Sequence, residues 1–195
     1  MKSIAVYGAS GHGKVVADIA LTNGYDEVVF IDDGDNEYMS FQEYLTQYSY
    51  PIALGIGNNS TRKQVYEKIK SENLEVKTLI HERAIVANDV IVKEGTVIMP
   101  GVVVNTGSSI GTGSILNTGS IVDHDCDIGD FVHIAPKSAL AGDVCVKDMV
   151  MIGIGSSIVQ GITIGENSVV GAGSVVISDI QDNVVSYGVP AKVKV

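Results

Sequence analysis

The chain has 195 residues, with 23 acidic against 13 basic side chains and a formal net charge of −10. That balance argues against nucleic acid or anionic membrane as a general partner, since both need a basic face. It leaves room for anionic small molecules held by backbone N–H groups. The opening run MKSIAVYGAS is too short in apolar residues for a signal peptide, and no stretch approaches membrane-spanning length, so a cytoplasmic protein is expected.

Residues 1–80 alternate between strand and helix signals. Ile4–Tyr7 is a short apolar strand that ends in the turn Gly8-Ala9-Ser10-Gly11-His12-Gly13. Lys14–Asn23 carries apolar residues at helical spacing (Val15, Val16, Ile19, Ala20) and stops at Asn23-Gly24. Val28–Ile31 is a second strand ending in Asp32-Asp33, and Ser40–Tyr48 fits a short helix. Ile52–Ile56 is a third strand, followed by Gly57-Asn58-Asn59; Ser60 reads as the cap of an amphipathic helix over Thr61–Glu72. Val76–Ile80 reads as a fourth strand, and His81–Arg83 as the joint to a second domain over residues 81–195. The alternation implies a small Rossmann-like parallel sheet with right-handed crossovers.

The glycine turn imitates two nucleotide motifs and matches neither. Gly8-x4-Gly13-Lys14 begins like a P-loop, but Val15 stands where a magnesium-binding Ser or Thr is required. The glycine order G-x-x-G-x-G is not the dinucleotide fingerprint, and the domain is too small to hold a dinucleotide across two halves. A glycine turn at a helix N-terminus still presents N–H groups to a phosphate. Acidic residues about 20 positions on can meet ribose hydroxyls or a base. With Gly57-Asn58 on the same sheet rim, a mononucleotide or nucleotide-sugar site is favoured over three ordinary strand-to-helix turns.

From residue 84 to 177 an aliphatic residue recurs at every sixth position, from Val86, Val92 and Ile98 through Ile128, Ile134 and Leu140 to Val170 and Val176. Two positions before each marker the residue is usually small or β-branched, as at Thr96, Ser108, Ser114, Ser120, Ser138 and Ser156. Neither a helix nor an alternating strand has this period. A parallel β-helix does, since each hexad is one short strand plus a corner and three hexads close a triangular coil. Cys126 and Cys145 then lie on adjacent coils one step out of register, with only Cys126 at an inward position, so no disulfide is expected.

Reactive groups on such a solenoid must lie off the inward beat. His124 falls at a corner in Val122-Asp123-His124-Asp125, and His133 immediately precedes the marker Ile134, pointing out of the prism. Half a coil apart, they sit on different faces and would meet only across an interface between prisms. Gly142, one coil above His124, leaves a bare backbone N–H suited to a developing oxyanion. The imidazole can take a proton from an amine or hydroxyl, with Asp125 or Asp123 to orient it and raise its basicity. A solvated surface histidine and a zinc hydrolase are the alternatives, and zinc lacks a third solenoid ligand.

These residues together resemble the sialic-acid O-acetyltransferase and UDP-4-amino-sugar N-acetyltransferase family of left-handed β-helix acyltransferases. The nearest branch acetylates a UDP-linked 4-amino-4,6-dideoxy sugar on the way to bacillosamine. The resemblance spans both domains and rests on Tyr7–Gly13, Ile31-Asp32-Asp33, Ile56–Asn59, the hexads, His124, His133 and the tail Gly188–Lys192. It implies a left-handed coil and a homotrimer with acetyl-CoA as co-substrate between neighbouring prisms and no metal. By the same resemblance Ser10, Gly11 and His12 lie near the diphosphate, and Asp32, Asp33 and Gly57 around the nucleoside. His124 is the general base, supported by Asp125 where near relatives carry Glu. His133 and Gly142 lie at the thioester, and Gly153 and Ile154 along the pantetheine arm. The implied activity is direct N-acetylation of a nucleotide-linked amino sugar for bacterial glycan or glycoprotein biosynthesis. Alternatives are O-acetylation of a sialic-acid-like sugar and a non-catalytic trimeric nucleotide-sugar-binding module.

Overall fold

The computed structural model describes residues 1–194. The N-terminal part contains strands β1 (Ser3–Tyr7), β2 (Glu27–Ile31) and β3 (Ile52–Leu54) and helices α1 (Gly11–Thr22), α2 (Phe41–Gln47) and α3 (Asn59–Ser71). The strands form a parallel sheet in the order β2-β1-β3. The fourth strand expected at Val76–Ile80 divides instead. Val76 makes one isolated bridge to Ile52, whereas Leu79–Ile80 pairs with Val97–Ile98 as the first rung of the solenoid.

Helix starts differ from expectation for local reasons. Ser10 is the extended N-cap of α1, so the helix takes in Gly11, His12 and Gly13. Asn58, not Ser60, caps α3: its Oδ1 accepts from the Thr61 N–H at 3.0 Å and from the Ser60 hydroxyl at 2.8 Å. Helix α2 begins with a reciprocal box between Ser40 and Glu43. Three glycines of the turn region serve packing. A Cβ on Gly13 would lie 1.8 Å from the Gly8 carbonyl oxygen, and one on Gly55 would lie 2.8 Å from the same atom. A Cβ on Gly11 or Gly57 would meet nothing within 4 Å.

The rest of the chain is a triangular parallel β-solenoid. Strands of two residues repeat on three faces, and partners differ by eighteen positions, as in Ile115↔His133, Ile121↔Ala139 and Asp127↔Cys145. The first face runs from Leu79–Ile80 through Ile115–Leu116 and His133–Ile134 to Val169–Val170. The second runs from Ile85–Val86 through Ile121–Val122 to Val175–Val176, and the third from Ile91–Val92 through Asp127–Ile128 to Thr163–Ile164. Inward serines satisfy carbonyls in the same corner of the next coil: Ser108, Ser114, Ser138 and Ser156 donate to the carbonyls of Asp123, Gly129, Gly153 and Gly171 at 2.8–2.9 Å. This explains why small hydroxyl residues line the prism. They fill the narrow corners and leave few buried acceptors unpaired.

The corners show a second six-residue series. Left-handed φ values recur without a break from Gly95 to Gly173, and Asp125 (58°), Phe131 (54°) and Asp143 (57°) occupy places that glycine fills elsewhere. Among the described residues no helix is long and apolar enough to cross a membrane.

Gly13→Ala should destabilise the chain by about 1–3 kcal/mol, because the new methyl strikes backbone that cannot retreat. Gly11→Ala, entering open space, should stay within about 0.5 kcal/mol of the parent. Thermal unfolding of the two variants side by side checks both.

Candidate active site

The corner between the second and third faces carries His124, because Ile121–Val122 ends the second face and Asp127–Ile128 begins a strand of the third. The left-handed φ of Asp125 folds its carboxylate back, and the His124 Nδ1–H donates to Asp125 Oδ2 at 2.9 Å. Asp123 Oδ1 accepts the His124 backbone N–H at 2.9 Å. Aspartate therefore reaches the ring despite being one methylene shorter than glutamate. With Nδ1 carrying the proton, Nε2 is left as a bare acceptor with no partner among the described residues.

The ring lies against Gly142. A Cβ there would come within 2.4 Å of His124 Cε1 and 2.5 Å of Nε2, so any side chain at 142 would push the ring from this place. The Gly142 N–H donates to no acceptor among the described residues, while the flanking Ala141 and Asp143 N–H groups are bonded to Ile158 and His124 carbonyls. An imidazole with a free Nε2 beside a free N–H can remove a proton and steady an oxyanion. The hydrogen bond to Asp125, aided by Asp123 and Asp143, raises the His124 pKa above its ordinary value.

Across the prism, the N-terminal domain covers the first face and the corner between the third and first faces. Asn59 Nδ2 donates to the Met149 and Val150 carbonyls at 3.0 and 3.1 Å, and Tyr66 packs edge-on against Phe131. His133 points out of the prism as expected, yet it is only 8% exposed because the Gly57 loop lies on it. Its Nδ1 lies 3.2 Å from the Gly57 carbonyl oxygen and its Nε2 lies 3.0 Å from Asn117 Nδ2. Asn117 Oδ1 already accepts from the Thr118 N–H, so the amide presents its NH₂ to the ring. His133 must then be the neutral Nδ1–H tautomer. Burial, with Arg62 nearby, lowers its pKa to about 4. His12 on α1 sits 6.3 Å away between ring centroids, and burial, His133 and Arg62 likewise lower its pKa to about 4. Its Nε2 is buried and unpartnered.

A cavity of about 530 Å³ opens at the sheet rim, lined by Tyr7, Ser10, Asp32, Asp33, Gly57 and Thr61 among others. The hydroxyl of Ser10 does not cap α1 and so remains available. The two acids do more structural work than the sequence indicated. Asp32 accepts from the Ala9 N–H at 2.9 Å, the Gly34 N–H at 2.9 Å and Asn36 at 3.0 Å, contacts that depress its pKa. Asp33 accepts from the Phe41 N–H, from Lys68 at 2.6 Å and from the Tyr7 hydroxyl. Burial opposes its ionisation, but these donors outweigh it and hold the carboxyl below its ordinary range. A second cavity, of about 330 Å³, lies beyond Gly57–Ser60 against Met149, Met151 and Val169.

Gly153 and Ile154 lie at the corner between the first and second faces. A Cβ on Gly153 would meet the Ala172 nitrogen at 2.5 Å, so coil stacking alone requires glycine there; Ile154 is 55% exposed. The two groups of expected site residues thus stand apart within one chain. Ser10, Gly11, His12, Asp32, Asp33, Gly57 and His133 gather at the covered first face, whereas His124, Asp125 and Gly142 stand at the opposite corner. Cys126 points inward, where burial raises its thiol pKa and makes it a poor nucleophile. Among the described residues no three His, Cys, Asp or Glu side chains gather as metal ligands.

Residues 3–69 match the family described as the PglD N-terminal domain. The chain is 36% identical over 102 residues to the UDP-N-acetylbacillosamine N-acetyltransferase of Bacillus subtilis strain 168, covering 45% of this chain and 46% of that protein. The acetyltransferase domain of PglB from Neisseria gonorrhoeae superposes with a TM-score of 0.93 over 100% of both chains at 36% identity. A point mutant of the perosamine N-acetyltransferase from Caulobacter crescentus, solved with CoA and GDP-perosamine, gives 0.95 at 32% identity, covering 100% of this chain and 98% of the other.

Two titrations follow from these environments. The His124 ring should titrate above 6.5, and Asp125→Asn should move it down, as read by NMR of the labelled imidazole. His12 and His133 bind protons near 6.5 when unfolded but only near 4 when folded. Unfolding therefore takes up protons as pH falls through that window, and the melting temperature should drop with it. His12→Asn should flatten the decline.

Proposed function

Because the chain belongs to the N-acetyltransferases of nucleotide-linked amino sugars, with their left-handed β-helix, we propose that it transfers acetyl from acetyl-CoA to the 4-amine of a UDP-linked 4-amino-4,6-dideoxy sugar. The observation carrying this reading is the His124–Asp125 pair over Gly142, with Nε2 and the Gly142 N–H both free. The neutral amine attacks the thioester carbonyl and the N–C bond forms. His124 Nε2 takes the amine proton, the Gly142 N–H donates to the oxyanion, and the C–S bond breaks. The proton then passes to the departing coenzyme A sulfur. Asp125 orients the ring and stabilises the imidazolium. The product serves bacterial glycan or glycoprotein assembly, and the chain works in the cytoplasm.

The nucleotide occupies the rim cavity, with its diphosphate at Ser10, Gly11 and His12 and its nucleoside by Asp32, Asp33 and Gly57. Open space over Gly11 and Gly57 supports close approach of a ligand to their backbone. UDP is proposed on the 36% identity to the bacillosamine enzyme over 102 residues, and GDP is the rival carrier, since perosamine N-acetyltransferases are 28% identical over 179 residues and 32–34% identical among the structures. Ile154, which is exposed, then faces the pantetheine of a bound acetyl-CoA, whereas His133, expected at the thioester, is covered by the Gly57 loop with both ring nitrogens engaged and supports the rim instead.

This reading requires a second copy. A sugar held at the first face cannot reach the corner opposite it on the same prism. Of the two faces free of the N-terminal domain, the second is the more apolar one, with Ile85 68% and Ile121 42% exposed beside Val103, Ala139 and Val175 and with Ser157 as its one polar outward residue. The third presents Ser109, Asp127, Cys145 and Thr163 after Ile91. Three second faces closing on a three-fold axis bring the His124 corner of one copy beside the Asn117–Ile154 corner of the next. The site is then completed by two subunits.

His124→Ala should lower kcat by about 10²–10⁴ with the fold retained. A thiol-release assay over UDP-, GDP- and dTDP-linked 4-amino sugars should give turnover on the amines. Turnover confined to a hydroxyl acceptor would refute N-acetylation, and loss of less than about tenfold in His124→Ala would refute the base.

A further inference from the structure

Arg62 is fully buried and has no carboxylate partner among the described residues. All its bonds run to neutral oxygens. Nε donates to the Gly113 carbonyl at 2.6 Å, Nη1 to those of Gly57 at 2.9 Å and Ile56 at 3.2 Å, and Nη2 to Phe131 at 2.9 Å and Asn59 Oδ1 at 2.8 Å. Simple adhesion between the domains does not call for such a group, since apolar packing generally serves as well without the cost of burying a charge. A planar fork that fixes several acceptors at set angles is what guanidinium supplies and an apolar chain does not.

The acceptors come from three separate segments: the nucleotide rim, one solenoid corner, and the coil that leads into His133. The Gly57 carbonyl is the junction, because it accepts from Arg62 Nη1 and from His133 Nδ1 together. We propose that Arg62 is a positioning residue for acetyl transfer, holding the Gly57 loop over His133 and so fixing the nucleotide rim relative to the acceptor face. The proposal rests on the acetyltransferase reading of the site. Arg62 touches no reacting atom; it acts through the placement of the rim. Lysine cannot take its place, because one ammonium cannot span acceptors on three segments.

The test compares Arg62→Lys and Arg62→Met with the intact chain in three measurements: steady-state thiol release, UDP binding, and NMR of the ¹⁵N-labelled histidine rings. Misplacement by about 1 Å can cost about 10²-fold in rate, so kcat should fall by that order in both variants, well beyond any accompanying loss of UDP affinity. The His133 Nδ1–H signal should be present in the parent and shifted or lost in both variants. Arg62→Met carries the greater risk of unfolding, and if it does unfold, Arg62→Lys decides. A folded Arg62→Lys with kcat within about threefold of the parent, or with unchanged His133 signals, would overturn the proposal. If the parent itself turns over no nucleotide sugar, the acetyltransferase reading fails, and the ring signals still decide whether Arg62 holds Gly57 over His133.

Discussion

The hydrogen-bond register between coils is the constraint on which the rest depends. Each strand pairs with the residue eighteen positions on, and the left-handed corner residue recurs every six, so the azimuth of every side chain follows from its number. That register lays the His124 ring on Gly142 and folds Asp125 back to it. It also turns His133 toward the N-terminal domain. An insertion of one residue between His124 and Gly142 would break the eighteen-residue offset that lays the ring on the glycine. The N-terminal domain is fixed to this ruler by polar bonds from Asn59 and Arg62 to solenoid carbonyls, with Tyr66 packed on Phe131.

The same imidazole group serves in two opposed environments. His124 is half-exposed, stands among Asp123, Asp125 and Asp143, and has its pKa raised. His12 and His133 are buried near a guanidinium and are kept neutral. The first can exchange a proton near neutral pH. The others can offer shape and a fixed tautomer but take up no second proton in that range.

Much of this was legible in the sequence, because a solenoid writes its geometry as a period. The six-residue beat identified the inward residues, the corner of His124, the overlying Gly142 and the separation of His133. The rim cavity was legible as three turns, though not the internal bonds that occupy Asp32 and Asp33, because the donors Ala9, Tyr7 and Lys68 lie 23, 26 and 35 residues away in the chain. The fourth strand failed since Leu79–Ile80 has the same apolar signature whether it joins the sheet or starts the coil. Arg62 and Asn117 went unnoticed for another reason. Arg62 bonds backbone carbonyls, which carry no residue identity, and Asn117 is placed by a tautomer argument that needs Thr118 and His133 in view. That His133 is covered by its own N-terminal domain was likewise invisible, since domain docking has no period.

The central claim is that the nucleotide rim of one copy works with His124 of the next. Mixing two defective chains in one assembly tests it most directly. His124→Ala lacks the base, and Gly57→Phe fills the rim cavity while entering open space. In randomly mixed trimers about a quarter of the interfaces pair an intact rim with an intact His124, so co-expression should restore activity to about that fraction of the parent. Activity no greater than that of the two defective chains measured separately would contradict a site shared between subunits.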